Sequence, residues 1–213
     1  MSADRIHLVR HGEVNNPEGI LYGRLPNFGL SHLGHKMALA AAEELKSQGR
    51  RISALYCSPL QRTRESAEPI GRLFGLNAVT DERFLEPTNV FEGSRLNAKH
   101  LLRRPHLLFH LRNPRKPSWG EPYQQVVERM LSGISAAAES VDSGDVVIVS
   151  HQMPIWMTHS AATGKPLPHN PAQRRCALSS ITSFEIIDGI LTEVDYREPA
   201  KGLQSGATDV GAV

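Results

Sequence analysis

Two cysteines, Cys57 and Cys176, are all that the 213 residues contain. Two cannot build a disulfide framework or a cysteine-rich zinc site, so a reducing compartment is the easier reading. Long apolar runs are missing as well. No stretch approaches the ~18 consecutive apolar residues of a membrane-spanning helix. The N-terminus, MSADRIHLVR, has no apolar run of roughly 7–15 residues before its charges, so it does not read as a signal peptide. A large excess of either charge is also absent. Lys and Arg total 24 against 22 Asp and Glu, and a net +2 is too mild to imply nucleic acid by itself. The expectation is a cytoplasmic protein with neither membrane nor nucleic acid as partner. No repeat of roughly 20–50 residues is visible.

What is present points to a packed core. Hydrophobic residues make up 40% and charged residues 22%. The length suits one domain carrying an insertion. Residues 5–9 read as a buried strand, and a polar, glycine-rich loop runs from Gly12 to Gly29. A helix is expected over Gly34 to Gln48, stopped by Gly49. A strand comes next at Ile52 to Tyr56, then a helix from Leu60 to Phe74 that Pro69 should bend. Asn77 to Thr80 reads as a short edge strand. Residues 94–120, with RRPHLLFHLRNPRKPSW, fit neither helix nor strand and read as an insertion or lid. Ser118 to Glu121 matches a capping box ahead of a helix over Pro122 to Val141.

The run Asp145-Val-Val-Ile-Val149 is the best strand in the chain, apolar enough for burial on both faces. A helix over Pro154 to Thr163 comes next. Two strands, Ser179 to Ile187 and Ile190 to Asp195, join at the turn Asp188-Gly189. Strands alternating with helices predict an α/β sheet covered on both faces, with an antiparallel edge strand from the last hairpin. The domain is expected to span 1–198, and residues 199–213 to be a disordered tail.

Chemistry gathers where strands end. IHLVR runs into His11, ALYCSPLQR reaches Arg62 through one turn, and VVIVS runs into His151. In open α/β sheets, ligands bind beyond the carboxyl ends of strands, where helix N-termini also point. Arg10, His11, Arg62 and His151 therefore converge on one pocket. Arginine presents a planar, permanently charged fork that matches phosphate oxygens. A neutral His11 beside it can attack phosphorus and hold the phosphoryl group, which divides one hard step into two easier ones. The arginines disfavour protonation of His11 and stabilise the equatorial oxygens. Gly12 would let backbone approach a bound group closely. Glu86, in FLEPTNVFEG, is the best donor of a proton to the leaving alkoxide, and its carboxylate would then activate water.

LVRHGE, SPLQRTRESA, Glu86 in its LE…EG stretch and VSH at 149–151, in that order, resemble the histidine phosphatase superfamily. That family includes cofactor-dependent phosphoglycerate mutases and many small phosphatases. The resemblance covers roughly residues 5–195 in outline. It implies a three-layer α/β/α sandwich of phosphoglycerate mutase-like form with a mostly parallel sheet. It makes His11 the phosphorylated residue, with Arg10, Arg62 and His151 around the phosphate and Glu86 the proton donor. No metal and no cofactor are implied. Asn16, Gly23, Arg24 and Gln152 fall near the substrate rim. Val14, Pro17, Gln152 and the GEP at 120–122 depart from the common pattern, and none of these removes a catalytic residue.

Other readings weigh less. A cysteine phosphatase loop needs C-x5-R, and from Cys57 that position is Thr63; Cys57 reads as strand-end packing. His11, His151 and Glu86 could ligate zinc, but Arg10 and Arg62 oppose a cation. His7, within the first strand, reads as structural. The basic segment 103–116 carries no nucleic-acid module; it reads as a lid attracting phosphorylated substrates or as a contact in a homodimer. The expected activity is a histidine acid-type phosphatase acting on a small phosphorylated metabolite. By resemblance, a mutase would carry a longer insertion between Glu86 and His151 to shield phosphohistidine from water. A non-catalytic phospholigand-binding module is the alternative of another class.

Overall fold

A computed structural model describes residues 2–94 and 120–209. Its centre is a six-stranded sheet: β1 (Ile6–Arg10), β2 (Ile52–Cys57), β3 (Val79–Thr80), β4 (Asp145–Ser150), β5 (Ile181–Ile187) and β6 (Ile190–Arg197), in the order β3-β2-β4-β1-β5-β6. β1 pairs in parallel with β4, β4 with β2, and β2 with β3. β5 runs against both β1 and β6. The hairpin thus adds two strands, and β5 alone opposes the direction of the other five. Its turn places Asp188 and Gly189 at φ of 52° and 79°, the left-handed pair that a tight hairpin requires.

Among the described residues, four α-helices cover the sheet: α1 (His32–Ser47), α2 (Gln61–Phe74), α3 (Tyr123–Glu139) and α4 (Gln152–Ala162). Strand alternation assigns each side its core. Ile6, Leu8, Val146 and Ile148 pack against α3 and α4, among them Val126, Met130 and Met157. Val9, Val147 and Val149 face α1 and α2, with Ala41, Leu45 and Ile70. All residues of β1 and β4 are buried, which is why both read as near-continuous apolar runs. A register shift between Ile52 and Ala54 lets Ile52 share a face with Leu55 and Cys57.

The local signals behave as chemistry dictates, with exceptions. Ser31 caps α1 by accepting from the Gly34 N–H, and Gly75 ends α2 in the left-handed conformation. Pro69 lies inside α2 without ending it. The capping box expected at Ser118–Glu121 does not start α3. Pro122 is its N-cap residue without a side-chain cap, and the Glu121 carboxylate is held by Arg129 at 2.7 Å. Ser118 and the expected lid, apart from Ser94 and Gly120, lie outside the described residues.

The tail also departs from expectation. Lys201–Gly206 forms a 3-10 helix, and Ala200, Leu203 and Ala207 pack with Met37, Leu178 and Leu33. These apolar contacts give the segment the anchorage that its small, polar composition did not advertise. His7 is buried between Ser183 (2.8 Å) and Asp145 (3.1 Å). Among the described residues, no helix is long and apolar enough to cross a membrane.

Candidate active site

The carboxyl ends of β1, β2 and β4 meet, and the sheet's own hydrogen bonding extends to the residues just beyond them. The His11 N–H donates to Ser150 O (3.1 Å), and the Ser58 N–H donates to Val149 O (3.0 Å). His11 is 3% exposed. Its Nδ1 lies 2.7 Å from the Gly12 carbonyl. A carbonyl can only accept, so Nδ1 carries the proton and the neutral ring keeps its lone pair on Nε2. Burial, then the charges of Arg62 and Arg10, push the imidazole pKa well below its usual range.

Gly12 meets a neighbour that the sequence does not name. A Cβ there would lie 2.4 Å from the Gly34 carbonyl oxygen. The missing side chain admits the first turn of α1 against the loop. The Gly12 N–H donates to Ser66 Oγ (3.1 Å), and that hydroxyl donates to Arg62 O (2.8 Å), so α2 is tied to the loop after β1.

Both arginines are 1% exposed. Arg10 donates to Cys176 O (2.6 Å) and, through two nitrogens, to the Asp209 carboxylate (2.9 and 2.5 Å). Burial lowers its pKa, but Asp209, Cys176 and Tyr22 together turn the net direction up. Arg62 donates to Gly23 O (2.7 Å) and lies 4.8 Å from the centroid of the Tyr22 ring; burial lowers its pKa. Each retains a buried Nε without a partner among the described residues. Two desolvated guanidiniums with donors unspent form a site for an oxyanion.

His151 stands edge-on to His11, with ring centroids 5.3 Å apart. Its Nε2 is 2.9 Å from Ser58 Oγ. Its Nδ1 lies 3.7 Å from Glu86 Oε2, within ion-pair reach but too long for a hydrogen bond. Burial, then Arg62 and His11, lowers the His151 pKa strongly. Burial raises that of Glu86, against the pull of Arg62, Arg174, Arg10 and Arg129. The site therefore favours neutral imidazoles and a protonated carboxyl beside two cations.

The rim residues divide. Gly23, at φ 40°, offers its carbonyl to Arg62. Arg24 donates from Nε to the Glu86 carbonyl (2.5 Å) and fixes that residue's backbone. Asn16 closes its own loop by bonding Ile20 O (2.8 Å) and Ile20 N (3.2 Å). Gln152 accepts from Arg174 (3.1 Å). Tyr22, Ser66, Arg174 and Asp209 were not singled out from the sequence. Ser66 was within reach, since it belongs to the SPLQRTRESA motif. Cys57 is fully buried, and burial raises its thiol to about 11. Among the described residues, no three His, Cys, Asp or Glu side chains are grouped to hold a metal ion.

Known proteins with the same layout bear on this geometry. The chain is 46% identical over 198 residues to "Uncharacterized protein Rv0525" of Mycobacterium tuberculosis (strain ATCC 25618 / H37Rv), covering 92% of this chain and 96% of that protein. It is 29% identical over 210 residues to "Probable phosphoglycerate mutase GpmB" of Yersinia enterocolitica, covering 91% and 86%. A phosphoserine phosphatase mutant from Entamoeba histolytica, solved in complex with phosphoserine, shares the fold with a TM-score of 0.72 at 18% identity, over 92% and 97% of the two chains. The model of the histidine phosphatase superfamily (branch 1) matches residues 6–197. With that match over nearly the whole length, and with the strand-end histidines and arginines gathered as described, the chain belongs to the histidine phosphatase superfamily.

Proposed function

We propose that the protein is a metal-independent phosphomonoester hydrolase that works through a phosphohistidine at His11 on a small phosphorylated substrate. The observation that carries this reading is the Nδ1 contact of His11 with the Gly12 carbonyl, 2.7 Å long, which leaves Nε2 as the nucleophilic nitrogen beside Arg10 and Arg62. Nε2 bonds to phosphorus, and the ester P–O bond breaks. Glu86, whose pKa burial raises, gives its proton to the departing oxygen. Arg10 and Arg62 hold the phosphoryl oxygens, and His151, kept in place by Ser58, adds a further contact. In the second half, the Glu86 carboxylate takes a proton from water as its oxygen attacks phosphorus. The P–N bond breaks, and phosphate and free His11 are restored.

Transfer within a sugar acid, as in a mutase, uses the same residues. The relative named as a mutase favours that second reading, while the phosphoserine phosphatase neighbour favours the first. A product assay in EDTA separates them. Free phosphate released from a phosphomonoester panel by wild type, and not by His11→Ala, is the expected result. Conversion of 3-phosphoglycerate to 2-phosphoglycerate without phosphate release would make the protein a mutase. Loss of activity on chelation would sink the metal-free mechanism.

A further inference from the structure

Arg174 shares with Arg62 the lack of an ion-pair partner among the described residues, which sets both apart from three other arginines of this region. Arg10 is paired with Asp209, Arg129 with Glu121 and Arg175 with Glu193. Among the described residues, no carboxylate forms an ion pair with Arg174. It is held by neutral acceptors. Its Nε donates to His169 Nε2 (2.8 Å) and its Nη1 to Gln152 Oε1 (3.1 Å). His169 can accept there because its Nδ1, 2.7 Å from Leu167 O, must carry the ring proton. Burial lowers the pKa of both Arg174 and His169, so the guanidinium has lost water without gaining an ion-pair partner, and Glu86 offsets this only in part from beyond ion-pair distance. Holding a cation in that state is costly unless an anion completes it.

Its position says which part of a substrate that anion belongs to. The Arg174 charge is felt at Glu86, where it favours the ionised form against burial, and this puts it on the Glu86 side of the site. It also walls a cavity of about 420 Å³ shared with Gln152, Arg175, Cys176, Tyr196 and Asp209. Neither His11 nor His151 lines this cavity, which adjoins the phosphate site through the Arg10–Asp209 pair.

We infer that Arg174, oriented by Gln152 and His169, is a specificity-determining residue that binds a second acidic group on the alcohol half of the substrate. That group is a carboxylate or a second phosphate. The assignment rests on the proposed function in one respect: the transferred phosphate occupies Arg10 and Arg62, with Glu86 facing the leaving oxygen.

The test is calorimetric binding to His11→Ala protein, which removes turnover from the measurement. Two pairs of ligands differ in the second charge: glycerol 3-phosphate against 3-phosphoglycerate, and fructose 6-phosphate against fructose 1,6-bisphosphate. The acidic member of at least one pair should bind about tenfold or more tightly, the worth of one charge-assisted pair of hydrogen bonds. Which pair shows it names the carboxylate or the phosphate. Adding Arg174→Gln should collapse that ratio towards one, and Arg174→Lys should keep part of it. Equal weakening of both members, or no preference in the parent, would overturn the inference. A wild type that releases no phosphate, yet shows the Arg174-dependent preference in its His11→Ala form, would overturn the hydrolase reading and leave the acidic subsite standing.

Discussion

The phosphate end of the site and its rim are built differently. Arg10, His11 and His151 sit at or just beyond strand ends, Arg62 sits in the first turn of α2, and each is at most 3% exposed. Sheet hydrogen bonds continue into this region, so the groups that would meet phosphorus share the rigidity of the core. Arg24, Arg174 and Asp209 come from loops and the tail, and the Asp209 side chain is 41% exposed. The lesson is a division of labour. On the proposed function, the sheet would fix the geometry of a phosphoryl group, while irregular segments would meet whatever is attached to it.

Breaking the rigid side should abolish turnover for every ester. His11→Ala is expected to lower kcat by at least about a thousandfold, since loss of a covalent nucleophile leaves only binding and electrostatics. Phosphate release on aryl and alkyl esters checks this, and a surviving rate on either would remove His11 from the chemistry. Glu86→Gln should be more selective. Alkyl esters, which need a proton on the departing oxygen, should slow by about a hundredfold or more, and aryl phosphates much less. Equal losses on both would argue against an acid role.

The same variant sharpens the pH dependence. Burial and the arginines move His11 below its ordinary 6.5, so the neutral nucleophile persists to lower pH than an ordinary histidine allows. Burial moves Glu86 above its ordinary 4.5, and activity should fall as pH rises through that raised value and the proton is lost. Wild-type kcat/KM on an alkyl ester should therefore show an alkaline limb that Glu86→Gln lacks. The same limb in both proteins would assign it to another group.

Smaller effects probe the frame and the tail. Gly12→Ala drives a methyl into the Gly34 carbonyl, and overpacking of this kind costs about 1–3 kcal/mol. Tm should drop by several degrees, whereas Gly202→Ala, with open space around its Cβ, should hardly shift it. Melting curves of the two variants decide this. Asp209→Asn should tighten inhibition by inorganic phosphate a few-fold, because it removes a carboxylate from the Arg10 fork. Unchanged or weaker inhibition would mean that Asp209 does not compete there.

Much of the rigid side was legible in the sequence, for a physical reason. Strand-end residues lie next to unmistakable apolar runs, so the sheet that buries Ile6 to Val9 also delivers Arg10 and His11. The rim was opaque because its contacts join distant segments. Asp209 meets Arg10 across 199 positions, and nothing in the composition of the tail signals that pairing. Gln152 was legible only as a departure from a family pattern, and its partner Arg174 only from the fold. Gly12 was read for close approach of backbone, and the fold adds a neighbour the sequence did not name, the Gly34 carbonyl. Glycine patterns reveal that backbone comes close, but not to what. The S-x-x-E signal at Ser118 failed because Glu121 finds arginine partners stronger than a helix N–H.

Asp209, the carboxylate that the tail places on Arg10, is a ligand the chain carries with it. A tethered group of this kind acts at an effective concentration on the order of millimolar. On the proposed function, a phosphorylated compound entering the site would exchange with a resident rather than fill a vacancy, and its apparent affinity would be scaled by the fraction of time the tail is away. Scarce metabolites that gain only the Arg10 contacts would be held off, while those that also engage the rim could displace the tail at low abundance. This segment would then act as a threshold on occupancy, set by one acidic side chain and the backbone that holds it.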